Sequence, residues 1–148
     1  MTGQLADESL TSDRSTWHDP DPDDLTLARL REICGAFPEV AETGGVGSPS
    51  FKVRDKIFAM RHALRLPSGE RPSMWCKARR GVQEMLVGSA PARFAVPPYV
   101  GHHGWVAIFL DGDVDWEELT DLVEESYRMT APKRLVARFD AMPNAHHA

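Results

Sequence analysis

Cationic side chains at short spacings are the residues of this 148-residue chain best placed to do chemistry, and the chemistry is contact with phosphate. Lys52, Arg54 and Lys56 form one run, Lys77, Arg79 and Arg80 a second, and Lys133 with Arg134 a third. Residues two apart on a strand share a face, so Lys52 with Arg54, and Lys77 with Arg79, are spaced to meet a polyanion backbone. Contacts of this kind give salt-sensitive binding that is indifferent to sequence. No helix-turn-helix, zinc-finger or RNA-recognition signature accompanies them. The competing reading is a solvated sheet face, since strand edges carry Lys and Arg to deter aggregation.

The charge distribution sharpens this. The net charge is −5, but residues 1–48 hold 10 acidic and 3 basic side chains, residues 49–110 hold 3 and 10, and residues 111–148 hold 9 and 4. The middle third therefore carries +7 between segments of −7 and −5. Unless folding interleaves them, a positive face results that attracts DNA or another polyanion despite the acidic total.

Other reactive residues make weaker constellations. His102 and His103 are the most enzyme-like pair, yet neighbours on a strand point to opposite faces and do not share a metal. A cleft lined by Trp75, Tyr99 and Trp105 beside Lys77 and His102 is the alternative site, suited to a small ligand or a protein partner. Ser126-Tyr127 lacks a neighbouring base, and Tyr127 reads as helix packing. Asp111, Asp113 and Asp115 imitate a calcium loop, but Trp116 and Leu122 stand where its Gly and closing Glu belong. Asp19, Asp21, Asp23 and Asp24 read as helix capping with a loose attraction for hard cations. Basic neighbours could lower the Cys76 thiol pKa, although its parity with Met74 points to the core. Gly44-Gly45-Val46-Gly47 lacks the Lys and flanking elements of a phosphate loop, and His146-His147 falls in a terminal tail. No nucleophile, base and orienting group are brought together, so the expectation is a non-enzymatic domain with no catalytic residue, metal or cofactor.

The elements that must position these residues follow from periodicity. Asp21-Pro22 opens a helix whose stripe is Leu27, Leu30, Ile33, Cys34 and Phe37, ending at Pro38. Residues 43–49 read as a flexible loop. From Ser50 the period becomes two: Phe51 and Val53 form a strand, Asp55-Lys56 a reversal, and residues 57–64 a second strand. Residues 67–70 read as a loop and Met74 to Ala78 as a third strand, with Trp75, Lys77 and Arg79 opposite Met74, Cys76 and Ala78. Gly81 to Val87 reads as a short helix. Trp105 to Leu110 is apolar on both faces and reads as an interior strand. A helix capped by Asp115 and Glu118 runs to Tyr127, and a last one opens at Thr130 and passes Leu135 and Phe139. This order implies an α+β fold, a two-layer arrangement of helices packed on an antiparallel sheet.

Length and composition fit one core. The expected organisation is a disordered acidic tail over residues 1–17, a single domain over residues 18–142 beginning near Trp17, and a frayed tail over residues 143–148. Without an apolar run of spanning length or a signal-peptide pattern, the expectation is a cytoplasmic chain with no membrane partner, with Cys34 and Cys76 as buried reduced thiols. Oligomeric state is not legible.

Leu30-Arg31-Glu32-Ile33-Cys34 ahead of Phe37-Pro38, the run Phe51 to Ala59, Tyr99-Val100-Gly101-His102-His103-Gly104-Trp105-Val106, the Asp115-Trp116 helix start, and Ser126-Tyr127-Arg128 followed by Ala131-Pro132-Lys133-Arg134 resemble the MmcQ/YjbR family over about residues 25–137. The resemblance implies a fold of the CyaY/frataxin-like class and the DNA-binding label attached to the family. It also implies lysines at Lys56, Lys77 and Lys133.

Overall fold

The computed structural model describes residues 22–45 and 48–143. The expected N-terminal tail, Trp17, the acidic cluster before the first helix and His146-His147 lie outside the described residues and side chains. Helix α1 (Pro22–Gly35) buries Leu27, Leu30 and Cys34, and Phe37 follows it into the core, as the 3.6-residue period demands.

Strand β1 (Val40–Gly45) pairs antiparallel with β2 (Ser48–Val53), setting Thr43 opposite Ser50 and Gly44 opposite Pro49. This corrects the loop expected over residues 43–49. Beyond Val40 every side chain of β1 is exposed, so an edge strand held by backbone pairing leaves no apolar alternation to read. Gly44 has φ +100°, and a Cβ there would come 2.8 Å from the Ser48 carbonyl oxygen, so the site requires glycine.

Strand β2 reverses into β3 (Lys56–Leu66) through Arg54 and Asp55, at φ 51° and 66°, with Val53 opposite Lys56. Two positive-φ residues make a two-residue turn whose twist matches the strands. The reversal thus sits one residue earlier than expected, and Arg54 leaves the strand face it was expected to share with Lys52. A register shift next to Phe51 and Lys52 sets Ala59 opposite Phe51 and Ile57 opposite Lys52, leaving Phe58 as the extra residue. Strand β4 (Gly69–Cys76) follows with Leu66 opposite Gly69. It starts earlier than its apolar pattern indicates, because Glu70, Arg71 and Pro72 pair without alternating.

The chain continues through α2 (Val82–Ser89), β5 (Phe94–Ala95), a 3-10 turn (Gly101–His103), β6 (Val106–Phe109), α3 (Trp116–Thr130) and α4 (Lys133–Asp140). Asp115 caps α3 by accepting from the Glu118 N–H at 3.0 Å, as its spacing implied. Helix α4 opens at Lys133 rather than Thr130, because Thr130 closes α3 with its hydroxyl on the Ser126 carbonyl at 2.8 Å.

The six strands of the described residues form one sheet in the order β1-β2-β3-β4-β6-β5, every neighbouring pair antiparallel. The four α-helices of the described residues all contribute to a core on one face, where Leu30, Leu86, Val123 and Leu135 meet Phe51, Phe58, Met74 and Val106. The fold is α+β, helices over an antiparallel sheet. Tyr127 is its largest fully buried side chain, stacked on Phe37 at 4.7 Å and donating its hydroxyl to the Pro38 carbonyl at 2.8 Å. The other face carries a second cluster of Leu64, Trp75, Trp105, Ala107 and Phe109, against which Ala95 and Val100 pack. Strand β6 is buried throughout because it serves both clusters, as its double-sided apolarity implied.

Candidate functional site

Lys52 alternates with buried Phe51 and Val53 and so projects from the outer face of β2, beside Ile57 in the ladder. Lys77 lies just past the end of β4. Its N–H donates to Ser126 Oγ at 2.9 Å, and the same hydroxyl donates to the Phe58 carbonyl. This buried bridge ties Lys77 to the first turns of β3, where Lys56 stands. Burial, and then the positive charge of Lys56, hold the Lys77 ammonium pKa below the ordinary lysine value. Among the described residues, Lys52, Lys56 and Lys77 have no carboxylate in ion-pair contact.

The arginines of the basic segment are arranged differently. Arg54 is bound to Glu39 at 2.8 Å, Arg65 to Glu70 at 3.0 Å and Arg71 to Asp111 at 2.8 Å, while Arg79 pairs with Glu125 and Arg93 with Glu118. Four of these carboxylates come from the acidic flanking segments. Folding therefore interleaves part of the charge that the sequence had segregated, and Arg54 and Arg79 are committed partners rather than free phosphate ligands. The guanidinium fork matches a carboxylate better than a lysine ammonium does, which accounts for the division of labour.

Lys133 and Arg134 are exposed at the start of α4. The charge of Arg134 reaches Glu39, which also lies 3.6 Å from Arg138. The Arg54 hydrogen bond first, and the three arginine charges after it, hold the Glu39 carboxyl below its ordinary pKa. At the β2–β3 turn end the charge of Lys56 thus reaches Lys77, and those of Arg54 and Arg134 reach Glu39. Arg80 is elsewhere, in a cavity of about 510 Å³ that it shares with His102 and His103.

The proposed aromatic cleft is not assembled as one open wall. Trp75 and Trp105 are 4% and 6% exposed within the outer cluster, whereas Tyr99 is 87% exposed. Trp75 donates its ring N–H to Ser73 Oγ at 2.8 Å and lies under His62 at 4.7 Å. His102 and His103 occupy a 3-10 turn, not a strand, so their rings come together at 3.9 Å instead of facing apart. Among the described residues no group of three or more His, Cys, Asp or Glu is arranged to hold a metal.

Cys34 and Cys76 are buried free thiols. Burial pushes the Cys76 pKa up to about 12 and that of Cys34 higher still, so the lowering expected from Lys77 and Arg79 is overridden by desolvation. Ser126 is the residue that sequence reasoning passed over as a positioning group. Its only local signal was a serine on the inward stripe of α3, one residue before Tyr127.

No helix among the described residues is long and apolar enough to cross a membrane. A search of curated proteins returns no match. Among solved structures, the chain is similar to the crystal structure of Deinococcus radiodurans protein DR2400, a DUF419 domain, at 22% identity and a TM-score of 0.62, covering 82% of this chain and 95% of that one. At that identity the likeness speaks for the fold. The family model described as YjbR matches residues 35–129, from the end of α1 through nearly all of α3, which is well over half of the sequence. The chain belongs to the YjbR family.

Proposed function

We propose that this protein is a non-enzymatic binding domain that engages DNA or another polyanion at the β2–β3 turn end of its sheet. Lys52, Lys56 and Lys77 are the principal contacts, and Lys133 and Arg134 extend the surface. The observation that carries the reading is the Lys56–Lys77 pair: the Ser126 bridge ties the Lys77 backbone to Phe58, two residues past Lys56, whose charge reaches the Lys77 ammonium, and neither lysine has a carboxylate in ion-pair contact among the described residues. Like charges so placed raise the energy of the free protein and are relieved by a bound anion. Arg54 and Arg79 contribute field rather than direct contacts, because Glu39 and Glu125 are ion-paired with them through Nε.

Fluorescence anisotropy with a generic duplex at two salt concentrations tests this. Affinity is expected to fall steeply as salt rises. The double change Lys56→Ala and Lys77→Ala is expected to reduce the slope of log affinity against log salt by about 2, one for each phosphate contact removed. Absence of binding at low salt, or binding that ignores salt, would sink the reading.

A further inference from the structure

Tyr99 is held in an uncommon way. Its φ is 68°, and the Val100 N–H donates to the Pro98 carbonyl at 2.7 Å, so Tyr99 is the apex of a three-residue γ-turn of the positive-φ kind. Such turns are rare and strained, and strained backbone collects at ligand-contacting positions. The surroundings fix it there. Pro97 and Pro98 stiffen the approach, Val100 packs into the outer cluster, and a Cβ at Gly101 would collide with Val96. Gln83, itself buried, donates from Nε2 to the carbonyls of Gly101 at 2.8 Å and Trp105 at 2.5 Å. A tightly anchored loop thus presents a tyrosine ring at 87% exposure.

The same side of the sheet carries the other parts of a stacking surface. Among the described residues no helix contributes to the outer cluster. His62 is exposed and stacked on Trp75, so its free ring face is turned outward over an aromatic floor. Lys52 shares the face by strand parity, and Lys77 stands just past the end of β4, the strand that carries Trp75. Glu70 and Asp111 are paired with Arg65 and Arg71.

We propose, resting on the polyanion reading above, that the outer sheet face is a platform for single-stranded nucleic acid, with bases stacking on Tyr99 and His62 while Lys52 and Lys77 meet the phosphates. Charge complementarity selects a polyanion. The exposed rings select an unpaired strand, since in a duplex the base faces are already stacked on one another.

The test compares labelled oligo-dT, labelled oligo-rU and a mixed-sequence duplex, with inorganic polyphosphate as a base-free competitor. Tyr99→Ala is expected to weaken oligo-dT about tenfold, with Tyr99→Phe close to the parent and both duplex and polyphosphate affinities unchanged. Oligo-rU is expected to match oligo-dT, because stacking does not read the sugar. The inference is overturned if Tyr99→Ala leaves oligo-dT unaffected, if it weakens polyphosphate equally, or if only one of the two oligonucleotides binds. Salt-sensitive duplex binding that persists through such an outcome would leave the polyanion reading standing. Failure of every anion to bind would remove both.

Discussion

Ser126 is fully buried, and its hydroxyl is spent twice, accepting from the Lys77 N–H and donating to the Phe58 carbonyl. Helix α3 is thereby pinned to the sheet where β4 ends and β3 begins, and the Lys77 backbone is fixed there. Ser126→Ala is expected to cost about 1–3 kcal/mol in urea denaturation, since it strands a donor and an acceptor in the interior. A loss within experimental error would mean that water or relaxation satisfies both groups. At this scale the sequence disclosed residue types and parity. It placed Tyr127 under its helix, but it extended the strand of Trp75 through Ala78, whereas the strand ends at Cys76 and leaves Lys77 beyond it. It did not disclose the partner of any side chain: Ser126 touches a residue 68 positions away, and Tyr127 one 89 positions away.

Among the elements, α1, α3 and β6 were legible because each repeats its apolar residues with the period of its own geometry. Strands β1 and β5 were not. The first is an exposed Val-Ala-Glu-Thr-Gly-Gly edge, and the second is only Phe94–Ala95, so both are defined by the neighbour they bond rather than by their side chains. The β2–β3 turn was misplaced by one residue because Arg54 and Asp55 are poor markers of positive φ, a conformation usually signalled by Asn or Gly. That mismatch has an energetic signature. Asp55→Gly removes left-handed strain at φ 66° but adds unfolded-state freedom, and the balance is an expected gain of about 0.5 kcal/mol. A thermal melt that moves downward would contradict the turn assignment.

For the whole molecule, the governing feature is how acidic flanks meet a basic centre. Asp111 is held below its ordinary pKa by the hydrogen bonds of Arg71, and Glu39 by that of Arg54. A carboxyl whose folded pKa is depressed contributes stability above its unfolded pKa and loses it as pH falls through the folded value. The urea midpoint is therefore expected to hold near neutrality and to fall below about pH 4, where carboxyls begin to bind protons in the unfolded state. Arg71→Gln should flatten the part of that decline due to Asp111. These groups are largely exposed, so each effect is small and weakens with added salt. An acid limb unchanged in Arg71→Gln would show that the Arg71–Asp111 pair is not coupled to folding.

By itself the sequence determined the family resemblance, the α+β class, the inward stripes of the main helices and the excess of cations in the middle third. These are local or additive properties, carried by period and count. Only the tertiary structure decided which of those cations remain available, because ion pairing is set by proximity between segments distant in the chain. Arg71 finds Asp111 across 40 residues and Arg79 finds Glu125 across 46, while Lys56 and Lys77 are left without a carboxylate in ion-pair contact among the described residues. The exposure of Tyr99 was settled in the same way, by a γ-turn and a packed loop that no apolar pattern encodes.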